Sequence, residues 1–149
     1  PMQVPTSVSD VLEEARDVAA RGEGAPIRLR LPESDALVMG YGPDLVRLFV
    51  NLLENARRHT PAEGEIVATV RESGFWVEVV VADNGEGIAP EHLPRLCERF
   101  YRVDSARRAH GGSGLGLSIC QSIARAHGGT LDIQSVRGEG TAVTVRLPR

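Results

Sequence analysis

The chain contains no lysine; all 17 of its basic residues are arginine. That absence removes two phosphate-handling devices. A Walker-type loop closes in Gly-Lys-Ser/Thr, whose lysine reaches the terminal phosphates. A protein kinase of the eukaryotic type needs a strand lysine for the same purpose. Neither can be built here. Cysteine is scarce, with Cys97 and Cys120 alone. They have no CxxC spacing, so neither a zinc site nor a disulfide framework is encoded. Both are expected as reduced thiols in a cytoplasmic setting. No run approaches the ~18 continuous apolar residues of a membrane-crossing helix, and the opening residues do not read as a signal peptide. Excess positive charge is missing too. A net charge of −3 gives no reason to expect a nucleic-acid partner.

What is present is ordinary globular composition. The 149 residues are 42% hydrophobic and 25% charged, enough for one domain with a real core. Ser9-Asp10 reads as a helix start, followed by the apolar stripe Val11, Leu12, Ala15, Val18 and Ala19, with Gly22 and Gly24 ending it. Ile27 to Leu31 alternates as a strand, and Ala36 to Tyr41 reads as its partner. Gly42-Pro43-Asp44 opens a second helix with Pro in its first turn. Leu45, Leu48, Phe49, Leu52, Leu53 and Ala56 keep helical spacing to about Arg58, and Pro61 stops it. Glu65 to Arg71 and Phe75 to Ala82 form a hairpin across Glu72-Ser73-Gly74. Pro90 to Leu96 reads as a short helix. Phe100 to Ser113 shows no periodicity, a length typical of a functional lid. Leu115 to His127 is helical, with Leu115, Ile119, Ile123 and Ala126 on one face and Gly128 as C-cap. Leu131 to Ser135 and Thr141 to Leu147 are closing strands. One segregated sheet and three main helices predict a two-layer α/β sandwich.

Three segments carry chemistry. Asn51 and Asn55 lie four apart in the second helix, beside its apolar stripe, and Arg58 and His59 continue that polar strip. Asn costs roughly 0.5 kcal/mol against Ala inside a helix, so a pair invites explanation. Asn55 could offer its amide oxygen to Mg²⁺, with phosphates and water completing the octahedron, and Arg58 could neutralise phosphate. The residues alone leave open a plain solvated face. Asp83 ends the strand Val77–Ala82. A carboxylate there can accept from the amine of adenine, and it would repel the acceptor that guanine presents. Gly85 and Gly87 are expected to let a flat base approach the backbone, although Asp-Asn-Gly is also strong turn chemistry. Gly111 to Leu117 opens the last helix, where free N–H groups suit phosphate. Its spacing is not that of a Rossmann glycine motif.

In their order these segments resemble the catalytic, ATP-binding domain of bacterial sensor histidine kinases, in the superfamily shared with type II topoisomerases and heat-shock chaperone ATPases. Asn51-Leu-Leu-Glu-Asn55-Ala-Arg-Arg58-His59-Thr60 is similar to the family's N box, and Asp83-Asn-Gly85-Glu-Gly87-Ile88 to its first glycine box. Arg99-Phe100-Tyr101-Arg102 is similar to its F box, and Gly112-Ser113-Gly114-Leu115-Gly116-Leu117 to its second glycine box. Gly140-Thr141 through Pro148 matches the final strand. The resemblance covers nearly the whole chain. It implies an α+β two-layer sandwich, the Bergerat ATP-binding fold, with a mixed, mostly antiparallel sheet covered on one face by three helices. It implies ATP and Mg²⁺ as cofactors, Asn55 as metal ligand, and Asn55 with Arg58 as catalytic residues. Asn51, His59, Asp83, Gly85, Gly87, Ile88, Tyr101, Arg102, Gly112, Ser113, Gly114, Leu115, Gly116, Leu117 and Thr141 would complete the nucleotide site. Thr141 would join Asp83 at adenine through water, and Phe100 to Ser113 would be the ATP lid. Ser113 stands where Thr is common in the family.

Two absences refine the expectation. None of His59, His92, His110 or His127 has the context of a phosphoacceptor. The acceptor is therefore expected in a separate helical dimerisation domain, with residues 1–8 as that domain's tail and 9–149 as the catalytic unit. Hydrolysing members of the superfamily carry Glu four residues before the metal-binding Asn, to activate water; here that place is Asn51, so hydrolysis should be slow. The implied partners are the protein's own dimerisation domain and a response-regulator receiver domain, with no nucleic acid. A homodimer is implied for a full-length, membrane-anchored kinase, and a monomer for this part alone. An anti-sigma-type serine kinase of the same superfamily and a non-catalytic nucleotide-binding module remain as alternatives.

Overall fold

Short strands alternate with amphipathic helices in the computed structural model, which describes residues 2–88 and 116–149. Expectations for the helix at Pro90 to Leu96, the lid at Phe100 to Ser113 and Cys97 lie outside the described residues. So do those for Tyr101, Arg102, Gly112, Gly114 and Leu115. Ten elements are described: β1 (Val4–Ser7), α1 (Val8–Ala19), β2 (Ile27–Arg30), β3 (Leu37–Gly40), α2 (Gly42–His59), β4 (Ile66–Ser73), β5 (Trp76–Asp83), α3 (Gly116–Ala126), β6 (Thr130–Val136) and β7 (Gly140–Pro148). Strands β2-β4-β5-β7-β6 make one five-stranded sheet, parallel only between β2 and β4. This is the mixed, mostly antiparallel sheet of the expected α+β sandwich.

The pairing of β3 departs from the sequence reading. It lies antiparallel to β1 in a separate two-stranded sheet, with Val4 opposite Gly40 and Ser7 opposite Leu37. Its expected partner β2 pairs instead with β4, in parallel. A parallel pair needs a long crossover, and β3 with α2 supplies it. Nearness in sequence favours a hairpin, but the apolar stripe of α2 can be buried only if the chain crosses over first. Residues 4–7, expected in a tail, form β1, and Ser7 caps α1 by accepting the Asp10 N–H at 3.1 Å. The helix thus starts earlier than Ser9, which is buried.

The core lies between α1, α2, α3 and one sheet face. Leu45, Leu48, Phe49, Leu52, Leu53 and Ala56 of α2 are buried as their spacing predicts. Opposite them, alternate strand positions turn inward: Ile66, Ala68 and Val70, then Val77, Val79 and Val81, then Val143, Val145 and Leu147. A fully buried Leu or Phe contributes about 1.5–3 kcal/mol, so these rows dominate stability. The β4–β5 turn is two residues long, Ser73 facing Trp76. Gly74 takes its first central position at φ 60, which hairpin twist favours.

Two side chains hold the helix ends. The Arg57 guanidinium donates to the carbonyls of Ala19 and Arg21 at 2.9 Å, Ala25 at 3.2 Å and Gly22 at 3.3 Å. It therefore satisfies orphan carbonyls after α1. At the other end, Tyr41 gives α2 no side-chain cap. The Tyr41 N–H donates to His127 Nε2 at 3.1 Å, while His127 Nδ1 lies 2.8 Å from the Ile123 carbonyl. A carbonyl only accepts, so Nδ1 carries the proton and the ring is neutral. Gly128, at φ 76, closes α3 as expected: Gly129 N–H donates to Ala124 and Gly128 N–H to Arg125. The buried face of α3 is Cys120, Ile123 and Ala124, whereas Ala126 is exposed. The Cys120 thiol is buried and donates to the Leu48 carbonyl.

Candidate nucleotide site

Strand alternation places the carboxylate. Val77, Val79 and Val81 face the helices, and Asp83 follows in the same phase where the buried row ends. Its register partner in β7 is Thr141, and the partner of Thr141 in β6 is Ser135. One polar row, Asp83–Thr141–Ser135, thus crosses three strands at one end of the core. The Gly85 N–H donates to Asp83 Oδ1 at 2.9 Å. Burial pushes the Asp83 carboxyl above its ordinary range. Hydrogen bonds from the backbone of Gly85 and Thr141, the charge of His59 and the nearby Thr60 hydroxyl oppose that rise. The Thr60 hydroxyl is itself buried and finds no hydrogen-bond partner of good geometry among the described residues. Its influence on Asp83 is therefore that of a nearby dipole.

The C-terminal end of α2 meets this corner. Glu86 N–H donates to the His59 carbonyl at 3.2 Å, and Glu86 Oε1 lies 3.1 Å from His59 Nδ1. Asn84 Oδ1 accepts the Glu65 N–H at 2.8 Å. One turn back along α2, Arg58 Nη2 donates to Asn55 Oδ1 at 3.2 Å. Asn51 and Asn55 are half-buried beside the apolar stripe and Arg58 is exposed, so the polar strip runs to the glycine box as its spacing predicts. Gly116 is the first residue of α3. Leu117 packs partly buried against the core, so its side chain has a structural role there. Tyr101, Arg102, Gly112, Ser113, Gly114 and Leu115 lie outside the described residues.

Packing of the chain by itself calls for glycine at three positions. A Cβ on Gly85 would overlap the His59 carbonyl oxygen, and one on Gly87 the Val136 carbonyl. Gly87 also has φ 72. Gly140, at φ 136, rests its backbone on the Asp83 carbonyl. Gly85 and Gly87 thus let β5 close onto α2 and β6, a packing demand that stands beside the expected clearance for adenine. Sequence reading missed Thr60, Ser135 and Gly140 as members of this corner. Counting alternate residues back from Thr141 across the β6–β7 turn would have found Ser135. Thr60 continues the spacing of Leu52 and Ala56 by one more turn and is buried at the C-cap of α2.

The donor set suits a cation that arrives with its ligand. Among the described residues no three His, Cys, Asp or Glu side chains converge on a metal position. One amide oxygen, Asn55 Oδ1, beside a cationic side chain fits a Mg²⁺ that keeps waters and substrate phosphates as its other ligands. Among the described residues no helix is long and apolar enough to cross a membrane.

Comparison with known proteins places the fold and the family. Residues 40–149 match the family described as histidine kinase-, DNA gyrase B- and HSP90-like ATPase. The sensor protein SrrB of Staphylococcus aureus is 43% identical over 114 residues, covering 75% of this chain and 20% of SrrB. The chain thus spans about a fifth of the length of the curated relatives it matches. The structure of the mycobacterial sensor histidine kinase MprB superposes with a TM-score of 0.85 at 29% identity, covering 97% of each chain. The catalytic domain of the histidine kinase ThkA has the same fold, with a TM-score of 0.85 at 22% identity over 99% of this chain and 96% of that one. With its motifs in order and its sheet and helices in these places, the chain belongs to the histidine kinase-, DNA gyrase B- and HSP90-like ATPase family.

Proposed function

We propose that this domain binds Mg–ATP and donates the γ-phosphoryl group to a histidine on a separate helical dimerisation domain, for relay to a response-regulator receiver domain. The observation that carries the reading is the Asp83 carboxylate. It is half-buried at a strand end, held by backbone N–H groups and faced by Thr141, one corner away from the Asn55–Arg58 pair. Asp83 accepts the amine of adenine, with Thr141 beside it. Asn55 holds Mg²⁺, and Arg58 offsets charge at the terminal phosphates. Bound Mg²⁺ supplies charge neutralisation for phosphoryl transfer. The remaining demand on the chain is to hold the nucleotide in line with an acceptor. Asn51, half-buried on α2, has an amide where a water-activating carboxylate would be needed, so water is a poor acceptor. Tyr101, Arg102 and the second glycine box, Gly112 to Leu117, complete the phosphate end, and His59 and Ile88 flank the base. The catalytic unit takes in β1 and α1 as well as residues 9–149, the chain before β1 leads from the helical domain, and the whole protein is a membrane-anchored homodimer.

The test mixes the chain with a helical domain carrying an acceptor histidine, Mg²⁺ and labelled ATP, and reads acid-labile phosphate. Transfer to the histidine is expected, and Asn55→Ala should abolish it without unfolding the domain. Rapid ATP hydrolysis by the chain alone would refute the reading. So would ATP binding with no transfer to any histidine acceptor, which fits a non-catalytic nucleotide module.

A further inference from the structure

The hydroxyl of Ser135 sits at the centre of three contacts. It accepts the Ile88 N–H at 2.7 Å, lies 3.0 Å from the Gly140 carbonyl and 2.8 Å from Thr141 Oγ1. A serine hydroxyl has one hydrogen to give. The Gly140 carbonyl can only accept, so a contact of 3.0 Å there is favourable only if Ser135 gives its hydrogen to it. The Ser135–Thr141 contact must then be made with the hydrogen of Thr141. That leaves Thr141 Oγ1 with lone pairs alone to present to its surroundings, beside a carboxylate that also only accepts.

We infer that Ser135 is a positioning residue for base selection: it fixes the Thr141 hydroxyl as an acceptor, so that the Asp83–Thr141 pair receives an amine and rejects a carbonyl at the 6-position of a purine. The inference rests on the nucleotide-binding reading above. The physical reason for selectivity is the cost of facing two half-buried acceptors with a third. Adenine brings two amine hydrogens, which can meet both acceptors directly or through one water. Hypoxanthine brings an acceptor at the same place. Without Ser135 the Thr141 hydroxyl is free to rotate, donate and tolerate the carbonyl.

The measurement is the ratio of ATP to ITP affinity for the whole chain, by calorimetric titration with Mg²⁺. Ser135→Ala should narrow that ratio about tenfold, as expected when one oriented polar partner is lost. Ser135→Thr keeps a hydroxyl and should restore the ratio. In a Thr141→Val background, Ser135→Ala should leave the ratio unchanged, because the hydroxyl it orients is gone. A merely structural role through Ile88 would weaken both nucleotides alike and persist in that background. Wild-type binding of ATP with an unchanged ratio in Ser135→Ala overturns this inference alone, as does failure of Ser135→Thr to restore it. A wild-type chain that binds no ATP overturns the proposed function and this inference with it.

Discussion

Replacing Asp83 by Asn separates what this residue does for the nucleotide from what it does for the fold. Burial raises the Asp83 carboxyl above its ordinary value of 3.8. The folded chain therefore binds this proton more tightly than the unfolded chain. Between the two pKa values the native state holds more protons, so stability falls as pH rises through the window above 3.8. At neutral pH the ionised carboxylate is a cost to the fold. Asparagine keeps an oxygen to accept the Gly85 N–H and carries no charge. Asp83→Asn should thus melt at or above the wild-type temperature at pH 7, with the difference shrinking towards pH 4. Nucleotide binding should move the other way. A hydrogen bond to a charged group is worth about 1.5–3 kcal/mol, and an amide nitrogen turned towards the adenine amine adds a clash of donors. ATP affinity should fall at least about tenfold, since 1.4 kcal/mol is one decade. Thermal melts across pH and calorimetric ATP titration measure both effects. A variant markedly less stable than wild type at pH 7, or one that binds ATP as before, would refute the reasoning.

Further outcomes follow from the same geometry. Arg57→Ala removes the donor to four carbonyls at the end of α1 and should cost about 2–3 kcal/mol in urea unfolding. Its ATP affinity should stay near wild type, because Arg57 points away from the nucleotide corner, and a full loss of binding in a folded variant would contradict that division from Arg58. Gly85→Ala drives a Cβ into the His59 carbonyl and should destabilise by about 1–3 kcal/mol; a wild-type denaturation midpoint would show that the corner yields.

Adjacent residues show how far sequence reading could go. The period of α2 placed Leu45 to Ala56 in the core and left Asn51 and Asn55 beside it, because a helix converts spacing into a face without help from elsewhere. The alternation of β5 did the same for Val77 to Val81 and so delivered Asp83 to the end of a buried row. Gly128 was legible as a C-cap because positive φ is a local property. The motifs themselves, in their order along the chain, carried the family.

Contacts between distant segments were decided only in three dimensions. Arg57 and Arg58 are neighbours with the same side chain, yet one clamps the end of α1 and the other bonds Asn55. Helical spacing puts Arg58 on the strip of Asn55, but the role of Arg57 lies in where Ala19 to Ala25 return. The partner of β3 was misread for the same reason: strand pairing follows from which layer must be buried, and that is set by α1 and α2 together. Gly85, Gly87 and Gly140 were visible as glycines, but the carbonyls of His59, Val136 and Asp83 that exclude their side chains belong to other elements. Periodicity acts over one turn or one pleat, and the sequence determined whatever depends on that range. The polar row of Asp83, Thr141 and Ser135 depends on the register of three strands, which packing of the whole core against the helices selects.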